Sequence, residues 1–442
     1  MDRAGGPERM TPEQLHTQLA ARIAELPGGT TVAAAREAAF AAFARQGFPT
    51  RKQEAWHYTD LKRISDAELD LFPTAPDAAD PAALLRAAGV DSDAAALVFV
   101  DGFLVANFAA EVLGDGVDIS SLGESLETLG PLVAAETLRG QPLAALNVAF
   151  ARHGVRIGVP AGTEVEAPIH LLFVSQSARP QACQPQIAID VGANARADVA
   201  IHYAGGPSCS GWVNALTRIA LDTGAHLKLT RIQDYGPAQT HTELTDAQLA
   251  ADAALNIMMI DVGGALVRND LHVRLSEPGA NCELAGLLLC AEGQHVDNHV
   301  VVDHLAAHTT SEQRFRSIIG AHGRGVFSGK VSVHKGTRAI SADQASNNLL
   351  LAATAEINTK PELEIYADDV KCSHGATVGE LDDSHLFYLR SRGMAEAAAR
   401  GLLTLAFAKA LFTESPWPGI DDRIVEKFGL ALPEDIGWSP ST

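Results

Sequence analysis

The spacing of apolar and polar positions changes twice along the chain. Near the N-terminus, TPEQLHTQLAARIAEL and TVAAAREAAFAAFARQG carry apolar residues at helical spacing, with Thr11 as a candidate N-cap and Gly47 as a stop. We therefore expect two helices between residues 9 and 46. Further on, ALVFVDGFLVANFA alternates on both sides of Asp101–Gly102, which predicts a β-hairpin that turns at this pair.

From about Gly154 onward, short alternating runs such as IHLLFV, IAIDV and HLKLTRI dominate the sequence. Turns of the form acidic–x–Gly–small separate these runs, and we expect the glycine of each turn to adopt a positive φ. Roughly two hundred residues of short strands with almost no helix between them exclude a doubly wound sheet. A sandwich, a propeller and a β-solenoid are left, and loose repetition without WD or kelch signatures favours the solenoid. The turns begin at Asp190, Asp222, Asp261 and Glu277.

Helical spacing returns near the C-terminus. LDDSHLFYLRSRG offers Asp383 or Ser384 as an N-cap, and MAEAAARGLLTLAFAKALFTESPWPG predicts a further helix that ends before Pro416. One side of its broad apolar face can pack on the solenoid, and the remainder can dock a partner. The predicted domains are a mostly helical N-terminal domain with a short hairpin over 1–150, a β-helix core over 151–383 and a helical C-terminal domain over 384–442.

Composition narrows the class of protein. Apolar residues make up 47% of the 442 residues, which is enough for a large core, and the net charge of −20 disfavours nucleic acid or an anionic membrane surface as a partner. The opening MDRAGGPERM lacks the apolar run of a secretory signal, and no stretch approaches the ~18 apolar residues of a membrane span. The five cysteines are scattered without a CxxC, so we expect a reducing cytoplasm.

The stretch IYADDVKCSHGATVG places Cys372 and His374 two residues apart. On one strand such residues face the same side, close enough to share a metal ion or to face a common partner. The surrounding acidic residues attract cations, and they raise the pKa of the thiol, which argues against a nucleophilic cysteine. Two ligands do not complete a tetrahedral site, so a buried Cys372 beside a satisfied His374 stays open as the explanation without a function.

Two other segments contain residue types found in metal sites or nucleic-acid interfaces, but simpler explanations fit both. HVDNHVVVDHLAAH holds four histidines, but His299 and His304 face opposite sides of a strand, so exposed polar positions explain them better than a metal site. RKQEAWHYTDL gathers basic and aromatic residues. At this overall charge they indicate a structural junction or a protein-docking arm rather than nucleic-acid binding.

A longer region resembles a known family. From His308 to Met394 the chain carries TTS, FSGKVSV, DQASNNLLL, PELEIYADDVKCSHGATVG and LFYLRSRG, which closely resemble the core of the SufB/SufD family of iron–sulfur assembly scaffolds. RKQEAWHYTDL is also similar to an N-terminal segment of that family's SufD branch. SufB sequences typically read Cys-Glu-His-Glu where this chain has Cys372–Ser373–His374–Gly375, so the resemblance is to the SufD branch.

This resemblance implies a right-handed parallel β-helix core with helical N- and C-terminal domains. It implies a cytoplasmic scaffold, not an enzyme, that pairs with a SufB-like paralogue and binds a SufC-like ABC ATPase, to which the ATP chemistry belongs. Whether the chain in isolation forms a homodimer stays open at this level. In such a complex the C-terminal helices would dock the ATPase, and we assign this docking to Leu403, Phe407 and Leu411.

The same resemblance gives Cys372 and His374 a shared role. His374 would lie at the interface with the SufB-like chain and face one of its cysteines, with Cys372 at the same place. There the pair would help to bind iron or a nascent cluster transiently, and no cofactor would be held tightly by this chain alone. The site would then be one half of a ligand set that another chain completes.

Two other functions stay open at this level. The chain can be a passive structural factor of the same complex without a ligand role, and the sequence does not separate that function from iron handling. It can also be a β-solenoid carbohydrate-active enzyme, but such enzymes need a carboxylate-lined groove with aromatics in a secreted protein. Aromatic residues make up only 5% of this chain.

Overall fold

The computed structural model describes residues 10–76, 79–91, 93–113, 116–121, 140–412 and 415–433. The protein is mainly β, with 43% strand against 22% helix, and it forms a β-solenoid of about 8 turns with helices at both ends. The predicted fold class is therefore confirmed, whereas the domain boundaries stay predictions. Among the described residues, no helix has both the length and the apolar character needed to cross a membrane.

Helices precede and follow the strands. The described α-helices are α1 (Pro12–Arg22), α2 (Gly29–Gln46), α3 (Lys62–Ser65), α4 (Pro81–Ala87), α5 (Ala109–Leu113), α6 (Pro142–Phe150), α7 (Asp383–Ser391), α8 (Glu396–Lys409) and α9 (Ile420–Phe428). Short 3-10 turns lie at Ile23–Glu25 and Glu54–Trp56.

The strands fall into two sets. The hairpin and first coils contain β1 (Ala95–Val100), β2 (Phe103–Asn107), β3 (Asp118–Ser121), β4 (Gly154–Val159), β5 (Ile169–Ser175), β6 (Gln181–Cys183), β7 (Gln186–Val191), β8 (Arg196–Gly205), β9 (Gly211–Leu221) and β10 (His226–Asp234). The later coils contain β11 (Thr240–Leu249), β12 (Ala254–Asp261), β13 (Leu266–Leu275), β14 (Asn281–Cys290), β15 (His295–His304), β16 (Thr310–Ile319), β17 (Arg324–Val333), β18 (Ile340–Leu350), β19 (Glu356–Ile365) and β20 (Val370–Gly379).

The N-terminal elements follow the sequence pattern. Thr11 and Gln14 form a capping box at the start of α1, in which each side-chain oxygen accepts a hydrogen bond from the other residue's backbone N–H. The helix α2 ends at Gly47, whose φ is 67°. Strands β1 and β2 pair antiparallel around Asp101 and Gly102, both with positive φ, so the predicted hairpin is confirmed.

Most solenoid strands alternate between two sheets. One sheet has the order β2-β1-β5-β8-β10-β12-β14-β16-β18-β20, and the other has the order β19-β17-β15-β13-β11-β9-β7-β4-β3. Neighbours in the coils pair in parallel and in register. One ladder runs through Leu255, Cys282, Ser311, Ala342 and Cys372, in steps of 27, 29, 31 and 30 residues. Because side chains in register stack on one face, each coil continues the inner surface of the coil before it.

A polar network is buried in the middle coils. Arg231 donates its Nε–H to Glu243 at 2.9 Å and pairs with Asp261, and all three side chains are at most 4% exposed. Asn298 donates to the second carboxylate oxygen of Asp261 at 3.0 Å. Burial alone would raise the pKa of Glu243, but Arg231 and the hydrogen bonds outweigh it and lower the pKa to about 2. Each buried charge of this network is therefore stabilised by an opposite charge within it.

The corner glycines divide into two kinds. Gly224 and Gly279 have φ of 67° and 79°, as predicted. The prediction of a positive φ was wrong for Gly192 and Gly263. A Cβ on Gly263 would lie 1.9 Å from the Tyr235 carbonyl oxygen, so glycine is needed there for close approach of neighbouring coils.

The C-terminal helices differ from the prediction in detail. The cap of α7 is Asp382 rather than Asp383 or Ser384, because the Asp382 carboxylate accepts the Ser384 N–H at 2.7 Å. The helix α8 ends before Pro416, as expected. The sequence did not predict α9, which packs its buried Ile420 and Ile424 with Ile260 and Leu287 of the solenoid.

Candidate functional site

The last coil leaves one end of the solenoid uncovered. Strand β19 is the last in its sheet and pairs with β17, and β20 is the last in the other sheet and pairs with β18. Within the described chain, the outer edge of each strand has no strand beside it. Tyr366 in the corner between them is 59% exposed, and Val378 on β20 is 51% exposed. Exposed apolar side chains beside unpaired strand edges are typical of an interaction surface.

Cys372 and His374 both face the interior of the solenoid at this end. In the parallel ladder Cys372 pairs with the buried Ala342, and His374 pairs with the buried Gln344. The intervening Ser373 faces outward, where its hydroxyl donates to the exposed Asp343. Paired residues in register lie on the same side of a sheet, so both candidate ligands stand on the inner face.

The two residues differ in exposure. His374 is exposed, because the coil that would cover it is missing at the end of the solenoid. Cys372 is half-buried and packs with Val331, Ile340 and Ala342 in the last apolar layer. The structure thus combines both explanations, since the cysteine is part of the core and the histidine is open to a partner.

Burial raises the pKa of the Cys372 thiol, and a backbone hydrogen bond from Ala342 opposes this only in part. The expected direction of this pKa shift is therefore confirmed. Its cause is desolvation rather than the neighbouring carboxylates. A metal ion that bound this sulfur would have to displace the thiol proton, whereas the imidazole of His374 is accessible from solvent.

The corner between β19 and β20 explains why the local pattern slips at Asp368–Asp369. The residues on the two sides of this pair belong to different sheets, with β19 ending at Ile365 and β20 beginning at Val370. Asp369 also stabilises the corner that precedes β18 in the neighbouring coil, since its carboxylate accepts the Ala339 N–H at 3.2 Å. The acidic residues therefore shape the turn that brings Cys372 and His374 onto β20.

Within the residues that the structure describes, no group of three or more His, Cys, Asp or Glu side chains is arranged to hold a metal ion. The four histidines between His295 and His308 accordingly do not converge. His304 is buried, with its two ring nitrogens hydrogen-bonded to Thr309 at 2.8 Å and Ser311 at 2.9 Å. The prediction that these are exposed polar positions is confirmed for His308 only. It was wrong for His304, which is a satisfied core residue, and for His295 and His299, which are half-buried.

The aromatic and basic segment RKQEAWHYTDL forms a structural junction, which was one of the two roles predicted for it. The Arg268 guanidinium of β13 lies 4.3 Å from the centre of the Trp56 ring and donates to the Ala55 carbonyl at 2.9 Å. Arg268 also pairs with the buried Asp297 at 2.6 Å, and that carboxylate accepts a hydrogen bond from Thr59. This set joins the N-terminal segment to the middle of the solenoid.

The three predicted docking residues are half-buried in the C-terminal helices and the turn that follows α8. Phe407 and Leu411 pack against the cluster that joins the helices to the solenoid. Leu403 is also half-buried. More exposed are Phe387 at 74% and Tyr388 at 56%, neighbours on α7 that sequence reasoning missed. The signal was available in LFYLRSRG, where two adjacent aromatics cannot both face inward from one helix.

The described chain is thus a parallel β-solenoid with two inward-facing candidate ligands at an uncovered end. Comparison with known proteins gives the family. The family model described as "SUF system FeS cluster assembly, SufBD core domain" matches residues 173–407, and the model "SufBD protein N-terminal region" matches residues 13–171. The chain belongs to the SufBD family of the SUF system.

Relatives in this family align along most of the chain. The iron–sulfur cluster assembly protein SufD of Escherichia coli is 29% identical over 394 residues, which is 88% of this chain and 90% of the relative. A SufBD family protein of Synechocystis is 29% identical over 85% of this chain and 86% of its own length. The chloroplastic protein ABCI7 of Arabidopsis thaliana is 28% identical over 85% of this chain and 81% of its own length.

Proposed function

We propose that this chain is the SufD-like subunit of an iron–sulfur assembly complex in the cytoplasm. It pairs through the open solenoid end with a SufB-like scaffold and binds a SufC-like ABC ATPase through its C-terminal helices. Iron or the nascent cluster binds at the interface between the two solenoids, with His374 as a ligand. Cys372 is a second ligand once its thiol has lost its proton. The chain is a scaffold and not an enzyme, because the ATP chemistry belongs to the partner.

One observation carries this proposal. The exposed His374 stands on the inner face of the last coil, where the end of the solenoid is uncovered. A second solenoid placed against this end would enclose the imidazole together with its own inward-facing side chains. A neutral imidazole offers one nitrogen to Fe(II), and thiolates are the preferred ligands of iron–sulfur clusters. Ligands from two chains would then complete a set that this chain only begins.

The connection between β20 and α7 supports a mechanical role for the ATPase. Strand β20 ends at Gly379, and α7 begins at Asp383 after only a short link capped by Asp382. A partner that moves α7 therefore pulls directly on the strand that carries His374. ATP-driven closure of the ATPase would shift the end of the solenoid and open the joint to iron and sulfur.

The alternative is a passive structural subunit that shapes the complex without binding cargo. Replacement of His374 by Ala separates the two functions. The full-length chain is produced with a SufB-like scaffold and a SufC-like ATPase, and the purified complex is analysed for iron and acid-labile sulfide. We expect His374→Ala to keep the complex intact while cluster yield falls severalfold or more.

His16→Ala is the matched control, because His16 is an exposed histidine on α1 and lies neither on the solenoid end nor on α7. It should leave both assembly and cluster content unchanged. Unchanged cluster content in His374→Ala would support the passive role and reject the ligand role. Loss of the complex in His374→Ala would instead show that the imidazole contributes to pairing.

A further inference from the structure

Gln344 lies one step below His374 in the ladder between β18 and β20. Its side chain is 1% exposed and faces the interior of the solenoid, on the same side as His374. The residue one step further in is Gln313, which is fully buried on β16. Gln313, Gln344 and His374 thus form one row along the inner face of the last three coils.

The amide group of Gln344 has one hydrogen-bond partner, on its inner side. Its Nε2 donates to the Gln313 Oε1 at 2.8 Å. A Cβ on Gly329 would lie 2.0 Å from the same nitrogen, so the amide occupies space that only glycine leaves free across the core. Because the nitrogen is engaged on the inner side, the oxygen is left for a donor from another direction.

The Gln344 oxygen is an unsatisfied acceptor. Among the described residues, its Oε1 is buried and has no hydrogen-bond partner. An unpaired buried acceptor destabilises a fold, so such a group in a native protein calls for an explanation. The neighbour of Gln344 on its outer side in the ladder is His374, whose imidazole carries an N–H in either neutral tautomer.

We propose that Gln344 is a positioning residue for His374. A rotation of the exposed His374 side chain towards the core lets the Gln344 Oε1 accept a hydrogen bond from one ring nitrogen, which fixes the tautomer and leaves the other nitrogen unprotonated towards the open end. Metal-binding histidines generally donate their second N–H to a carbonyl or carboxylate, and this contact sets the ring orientation. The use of the free nitrogen rests on the proposed function, but the hydrogen bond itself does not.

The test follows the two ring nitrogens of His374 by NMR in the full-length chain labelled with nitrogen-15 histidine, without partner or metal. His374→Asn identifies the resonances. We expect one tautomer to predominate in the wild type. In Gln344→Leu, the leucine has a volume similar to that of glutamine but no hydrogen-bond acceptor. The His374 nitrogen shifts of this variant should move towards those of a free imidazole, which is a mixture of both tautomers. Gln344→Glu keeps an acceptor oxygen and should retain a single dominant neutral form at high pH.

Gln233→Leu is the control, because it removes another fully buried glutamine far from the open end and should leave the His374 shifts unchanged. If Gln344→Leu does not fold, Gly329→Ala displaces the amide by its methyl group and should produce the same change. Identical His374 nitrogen shifts in the wild type and in a folded Gln344 or Gly329 variant would overturn the proposal. That outcome leaves the cluster yield of His374→Ala as a separate test of the proposed function.

Discussion

The guanidinium carbon of Arg316 lies 4.7 Å from the centre of the Phe407 ring, and Arg316 donates to the Phe407 carbonyl oxygen at 2.8 Å. This contact joins β16 to α8, so the ring of Phe407 is engaged within the chain. The aromatic side chains of Phe387 and Tyr388 on α7 project into solvent instead. We therefore expect the contact with the ATPase to centre on α7, with Leu403 and Leu411 at its margin.

The double substitution Phe387→Ser with Tyr388→Ser should weaken binding of a SufC-like ATPase at least tenfold, which corresponds to about 1.4 kcal/mol. Both side chains are largely exposed, so the fold should keep its stability. Isothermal titration calorimetry with the isolated ATPase measures the change in affinity.

Arg316→Ala serves as the comparison for the ATPase contact. It removes the interaction with Phe407 inside the chain, so it should loosen α8 and lower thermal stability more than the α7 double variant does. Unchanged ATPase affinity in the double variant would remove α7 from the docking surface.

Replacement of the buried Arg231 should be among the most damaging single changes in the core. Arg231→Met leaves the Glu243 and Asp261 carboxylates without their cation, and breaking such a buried pair costs about 3–5 kcal/mol. Arg218 pairs with Asp190 on a partly exposed face, so Arg218→Met should cost about 1 kcal/mol or less. Urea unfolding followed by circular dichroism compares the two, and equal losses would contradict the role given to the network.

Stability should fall as the solution becomes mildly acidic. Burial lowers the pKa of His202 and of His304 to about 4, below the ordinary value of about 6.5. The unfolded chain therefore takes up protons that the folded chain refuses, so stability is complete above about pH 6.5 and is lost as the pH falls towards 4. Each histidine contributes up to about 3 kcal/mol to this loss.

The free energy of unfolding measured between pH 7.5 and 4.5 checks this prediction. His202 packs edge-on to Trp417 with ring centres 5.3 Å apart, so His202→Phe keeps an aromatic ring there without a titrating group. This variant should lose less stability than the wild type over the same interval. A wild-type curve that is flat between pH 6.5 and 4.5 would refute the explanation.

Much of the fold could be predicted from local sequence signals. Alternation predicts the solenoid strands, and the Thr11 cap and the Gly47 stop bound the first helices, because these features depend on neighbours within a few residues. The helix α9 was missed although Ile420, Ile424 and Phe428 stand at helical spacing before Gly429, so its signal was present in the sequence.

The site was only partly accessible to sequence reasoning. The spacing of Cys372 and His374 indicates that they share a face, but it does not say which face, because the corner at Asp368–Asp369 separates two sheets. The neighbour relation of Gln344 and His374 joins residues 30 positions apart. Such a relation follows from the register between coils, which depends on the lengths of all the corners between them and not on any local pattern.

The outer edges of β19 and β20, which pair with no other described strand, also bear on the fate of the chain in the cell. A surplus copy presents backbone donors and acceptors that any extended segment can adopt as a template. Unpaired strand edges of this kind favour unspecific pairing with other chains. Under the proposed pairing, copies without a partner scaffold should therefore be the shortest-lived form of the protein.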